Sequence, residues 1–310
     1  MQPKNRMIAL ALPFVAVAIG TAFLKPVHAD GPNEAELRER CATRVSIAFL
    51  GQSPSTALVA SPSPQSSVDA MLKDSSFIER FARFVNSELN PEPGMNVAED
   101  ASYTLAKHVI TNDLPWKEMF VGKFQVDIGV TSDPNGLGYF RSTAWMRRFA
   151  GNELAGYRIV AAYRILQNTT GLELMATTNV DGADLSAQGR QAQACAGCHY
   201  QNWYALDKVA KILSKRKGTG TTMTFTPPTE GAQQLLGGQM IKDDADLVNG
   251  LVGSENYRVF ACRLAFKFLY GRMENVCEAG PFDKCITDFK AKGTMQAALA
   301  AIAKDGTYCQ

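Results

Sequence analysis

Apolar residues recur at helical spacing along most of this chain. From Asn33 to Leu50, the positions Leu37, Cys41, Val45 and Ala48 fall on one helical stripe, with Asn33 as N-cap and Gly51 as the stop. Residues 51–67 are rich in Ser, Pro, Gln and Gly and read as a surface loop. The helical pattern resumes over Val68 to Leu89, stops at Pro91 and Pro93, and returns near Ala98 to Thr111. Val121 to Gly138 reads as loop and Trp145 to Gln167 as mainly helix. Beyond that, the pattern predicts a helix through residues 195–199 and another near Trp203 to Lys215, then an irregular stretch from Gly218 to Gly238. One or two helices follow over Asp243 to Tyr270, and two short ones over Asp283 to Lys304. The expected fold class is all-α, with a boundary around residues 175–185 and no internal repeat.

The N-terminus departs from this amphipathic pattern. Lys4 and Arg6 precede an apolar run from Ile8 to Leu24, and Val27-His28-Ala29 then stands before Asp30, the layout of a secretory signal with a small-residue cleavage site. Residues 1–29 are therefore expected to be a signal peptide. The alternative is an uncleaved anchor giving membrane association, because a run of 17 residues sits at the lower limit for a spanning helix. Either way the rest of the chain is expected to be periplasmic or otherwise exported.

With 310 residues, 46% of them hydrophobic, the chain can bury a large core, which excludes a disordered protein. Charge changes the picture little. Taking Lys4, Arg6 and Lys25 from the 32 basic residues leaves 29 against 30 acidic ones. That balance lacks the strongly basic face of a nucleic-acid binder.

The chemistry lies in Cys195-Ala196-Gly197-Cys198-His199. Two thiols three positions apart can add to the two vinyl groups of one porphyrin, and the adjacent His then faces the iron. Cys195 and Cys198 are thus the expected thioether anchors and His199 the proximal iron ligand. A structural disulfide, a thioredoxin-like pair and half of a zinc site share the C-x-x-C spacing. The redox pair calls for a βαβ setting and the zinc site for a second ligand pair, and neither is evident in the sequence. No second C-x-x-C-H occurs, and beyond residue 29 the histidines are His108 and His199 alone, so one covalent haem c is expected. Export suits both haem attachment and disulfides. Of seven cysteines, five remain after haem attachment, enough for two disulfides and one thiol. Cys277 with Cys285 is the most local candidate pair.

The sixth iron ligand separates a carrier from a catalyst, since a Met thioether closes the iron and an open position admits small molecules. Met240, between Gly237-Gly238 and the helix expected near Asp243, is the first candidate. Its placement resembles small bacterial class I cytochromes c, although no Pro flanks it. Met223, in Thr-Met-Thr-Phe-Thr-Pro-Pro, is the alternative; His108 and the absence of a protein ligand also stay open. Trp203, Tyr204 and Phe225 are candidate walls of a haem pocket and equally ordinary core residues. Lys211, Lys215, Arg216 and Lys217 form a basic patch that reads first as a solvated face and second as a docking site for a redox partner.

Three further segments carry a resemblance: Cys41-Ala-Thr-Arg-Val-Ser-Ile-Ala-Phe-Leu-Gly51-Gln-Ser-Pro54-Ser, His108-Val-Ile-Thr-Asn-Asp-Leu-Pro-Trp116, and Asp246 through Tyr257 to Phe268-Leu-Tyr-Gly-Arg272. With the haem motif they resemble large exported bacterial cytochrome-like proteins grouped as families of unknown function. The matches are scattered over residues 37–305, in the expected order. The haem segment departs from that group in lacking an Asp-Pro shortly after His199. The resemblance implies a helical N-terminal domain over residues 30–178 and a cytochrome c-like haem domain with C-terminal helices over 179–310. The expected function is single-electron transfer through the haem with redox partner proteins. A haem enzyme or gas/redox sensor with an open sixth position is the alternative, with His108 as its distal acid-base group. A third reading makes the chain a subunit of a larger redox complex.

Overall fold

In the computed structural model, which describes residues 33–90, 101–149, 158–175, 182, 184–217 and 224–310, the opening periodicity becomes helix α1 (Glu34–Leu50). It buries Cys41, Ala42, Val45, Ser46 and Phe49. Gly51 ends it in the left-handed region at φ +70°, where the missing Cβ avoids a steric cost. The loop expected over residues 51–67 contains a short helix, α2 (Thr56–Ala60), started by Ser55 Oγ accepting from the Leu58 amide at 3.2 Å. A helix this short, between Pro54 and Pro62, leaves no readable period. The pattern over Val68 to Leu89 divides into α3 (Val68–Met71) and α4 (Ser75–Leu89), because Asp74 is extended and caps α4 by accepting from the Ser76 amide at 2.7 Å.

Helices α5 (Ala101–Thr111), α6 (Glu118–Val121), α7 (Thr143–Phe149) and α8 (Ile159–Thr170) follow. The segment read as loop before α7 holds an antiparallel hairpin, β1 (Phe124–Val126) with β2 (Val130–Ser132), pairing Gln125 with Thr131. The second half runs through α9 (Gln193–Ala196) and α10 (Leu206–Ile212). Two hairpins then fall in and around the stretch read as irregular, Gly218 to Gly238: β3 (Lys215–Lys217) with β4 (Thr224–Thr226), β3 beginning at the end of the expected helix, and β5 (Gln233–Leu235) with β6 (Gln239–Ile241). Strands of three residues are too short to show alternation. Helices α11 (Asp244–Val252), α12 (Glu255–Tyr270), α13 (Ala279–Lys292) and α14 (Met295–Ala303) complete the chain. Asp243, Ser254 and Thr294 cap α11, α12 and α14 with their side chains. The described residues are thus mostly helical, with three two-stranded hairpins.

The core is a continuous aromatic cluster. Phe81 of α4 meets Phe77 at 5.6 Å, Trp116 at 6.1 Å and Phe268 of α12 at 5.1 Å between ring centroids. Trp116 leads on to Phe120, and Phe120 to Phe140 and Tyr257. Helix α8 packs on α10, α11 and α12, which ties the segment around residue 199 to this core. The boundary expected near residue 178 falls among residues 176–181, outside the described residues. Glu34–Gln310 cluster as one compact unit, and a single core draws on both sides of that position.

Two disulfides are formed, Cys41–Cys309 and Cys262–Cys285. The local pair Cys277–Cys285 is not. Cys285 is fully buried on the face of α13 that meets α12, where Cys262 is also fully buried, whereas Cys277 is exposed in a 3₁₀ turn before α13. Cys41–Cys309 joins α1 to the C-terminus across 268 residues, a loop whose closure strongly restricts the unfolded chain. Replacing both cysteines by serine is expected to cost about 2–5 kcal/mol. The midpoint of chemical denaturation under oxidising conditions checks this, and an unchanged midpoint contradicts it.

Candidate functional site

The motif residues sit where one helical form gives way to another. Ala192 is extended at the start of α9, which makes a single turn carrying Cys195. Gly197–Gln201 then forms a π-helical turn holding Cys198 and His199, closed by the Asn202 amide donating to Gly197 O at 3.0 Å. Single π turns of this kind commonly mark functional positions. A tight turn at Asn202 to Ala205 reverses the chain into α10, whose first turn carries Asp207 back to His199.

His199 Nδ1 lies 2.7 Å from Asp207 Oδ2. A carboxylate accepts and does not donate, so Nδ1 carries the proton and Nε2 is left with the ring's lone pair. Arg190, from the 3₁₀ turn Gly189–Gln191, grips the same carboxylate with both arms of its fork. Its Nε donates to Oδ2 at 3.0 Å and its Nη2 to Oδ1 at 2.6 Å. A further Arg190 nitrogen donates to Leu185 O. Burial disfavours the charged form of Asp207, but the hydrogen bonds from Arg190 and His199 and the positive charge of Arg190 outweigh it and hold the carboxyl below its usual pKa. His199 is about one-fifth exposed (21%) and Asp207 only 7%.

Cys195 and Cys198 are both half-buried free thiols. Cys198 Sγ is 3.6 Å from the Tyr204 hydroxyl, which also accepts from Asn202 Nδ2 at 2.9 Å. Partial burial, with the Cys198 contact second, raises the Tyr204 pKa. The Trp203 ring stands nearly perpendicular to Tyr204, 5.4 Å between centroids. Trp203 also lines a cleft of about 450 Å³ with Leu236, Gln239, Asn249, Gly250 and Leu251. The segment thus holds two free, half-buried thiols and an imidazole fixed on Asp207, with Tyr204 against Cys198 and Trp203 edge-on to Tyr204.

Met240 stands on β6 opposite Gln234, with 64% of its surface exposed. Its hairpin leans on α10, and the Leu236 amide donates to Trp203 O at 3.2 Å, so the strand is tied to the turn that follows the motif. Met223 lies outside the described residues. His108 belongs to α5, edge-on to Phe124 at 5.2 Å and bonded to Asn112. Phe225 pairs through its backbone with Arg216 in β4 and β3. Lys215 contacts Thr229 and Glu230. The residues 1–29 expected as signal lie outside the described residues, and among the described residues no helix is long and apolar enough to cross a membrane. No group of three or more His, Cys, Asp or Glu among the described residues could hold a metal ion; a haem iron, held by its porphyrin and axial ligands, needs no such group.

Asp207 and Arg190 are the site residues that sequence reading misses. The one available signal is chemical: an iron-binding imidazole fixes its second nitrogen on a partner, and Asp207 opens the next helix. Comparison with known protein families, curated proteins and solved structures finds no match to this chain.

Proposed function

We propose that this chain is an exported monohaem c-type cytochrome that passes single electrons between redox partner proteins, its haem segment being a cytochrome c-like unit with C-terminal helices. One observation carries the reading: four of the other five cysteines pair in disulfides, while Cys195 and Cys198 remain thiols beside His199. Those two thiols would hold the haem through thioethers, and His199 Nε2 would bind its iron. Asp207 holds the imidazole ring, and Tyr204, in contact with Cys198, together with Trp203 edge-on to it, would give the haem aromatic surface. When bound, the haem supplies a one-electron ferric/ferrous couple. Two disulfides support an oxidising, periplasmic or otherwise exported location.

A second reading is a haem enzyme or gas/redox sensor with an open sixth position, in which Met240 on the β5–β6 hairpin would stay off the iron. Visible and near-infrared spectra of the purified exported protein, with and without carbon monoxide, distinguish the two. A thioether-to-iron charge-transfer band without a carbon monoxide response is the result expected of a carrier, and Met240→Ala against Met223→Ala then identifies the ligand. Ready carbon monoxide binding with no such band replaces the carrier by the enzyme or sensor.

A further inference from the structure

We infer that Asp207, clamped by Arg190, is a positioning residue that fixes the His199 ring and holds the reduction potential of an iron bound at Nε2 low; this rests on the function proposed above. Two features of the geometry argue for it. The first is the acceptor itself. The 2.7 Å contact from Nδ1 ends on a carboxylate, not on a neutral backbone carbonyl, and an anionic partner draws the Nδ1 proton away and makes Nε2 a stronger donor to metal. A stronger donor with negative charge behind it favours the ferric state over the ferrous. With 7% exposure, the carboxylate is poorly screened by solvent.

The second feature is the way the carboxylate is held. Oδ2 accepts from both His199 and Arg190 Nε, while Oδ1 accepts from Arg190 Nη2. A planar fork bound at both ends fixes the plane of the carboxylate, and so the rotation of the imidazole that donates to it. Arg190 also offsets part of the negative charge, so the two residues act on the iron with opposite sign. Asp207 lowers its potential and Arg190 moderates that lowering.

The test uses the full exported chain as wild type, Asp207→Asn and Arg190→Gln. Covalent haem is quantified first and the midpoint potential is then read by spectroelectrochemical titration. Asparagine keeps an acceptor oxygen in place and removes the charge, so a purely structural role leaves the potential where it is. The expected result for Asp207→Asn is at least a tenfold rise in the reduced-to-oxidised ratio at fixed applied potential, equivalent to about 59 mV for one electron. Arg190→Gln is expected to shift the ratio the other way. An Asp207→Asn protein with full haem content and a ratio within about twofold of wild type, by the same one-electron relation, overturns the inference and leaves the haem reading standing. If Asp207→Asn does not accumulate, Arg190→Gln decides: a fall in the ratio supports the inference, and no change or a rise overturns it. Wild-type protein without covalent haem removes both.

Discussion

Replacing Cys195 and Cys198 together by alanine is expected to yield a folded protein without covalently bound haem, a complete loss of the haem signal. Neither thiol belongs to the hydrophobic core, both are half-buried, and neither takes part in a disulfide. Their removal therefore opens no large cavity and breaks no cross-link, and surface or half-buried changes of this kind stay small in stability. Helical circular dichroism and the denaturation midpoint should remain close to wild type while absorbance of haem on the denatured polypeptide disappears. Cys277→Ala is the control. That thiol is exposed in a separate turn, and its loss should leave haem content unchanged. Undiminished covalent haem in the double variant contradicts the attachment chemistry.

The largest loss of stability should come from Phe81→Ala. Phe81 is fully buried and contacts Phe77, Phe84, Trp116 and Phe268, linking α4 to α12 and to the segment before α6. Deleting a ring of this size removes its transfer free energy and leaves a cavity that fixed neighbouring rings fill only in part, at a cost of about 3–5 kcal/mol. Denaturant titration of the full chain reads the effect directly. A change below ~1 kcal/mol would mean that the neighbours collapse into the space, at odds with a close-packed core.

Much of this architecture is legible from hydrophobic spacing alone. α1, α4, α5 and α12 are long and amphipathic or strongly apolar, and each falls within a segment the periodicity marks. The hairpins are not legible: three-residue strands such as β5 and β6 show no alternation, and their pairing depends on a tight turn with Leu236, Gly237 and Gly238 all at positive φ. Disulfide pairing fails for a different reason. Proximity in sequence favours Cys277 with Cys285, but the packing of α12 on α13 brings Cys262 there instead. In the site, the C-x-x-C-H spacing is legible because the proposed thioether attachment would require it. Asp207 and Arg190 carry no such spacing rule, since their meeting at His199 depends on the reversal at Asn202 to Ala205 and on a turn upstream of α9.

Covalent haem on the wild-type chain, produced with its N-terminal segment, is the most direct single measurement, made as the intact mass of the purified, denatured protein. The expected value is the polypeptide plus one haem, with Cys195 and Cys198 unavailable to thiol reagents. A bare polypeptide, or a chain with Cys195 and Cys198 joined in a disulfide, contradicts the proposed function.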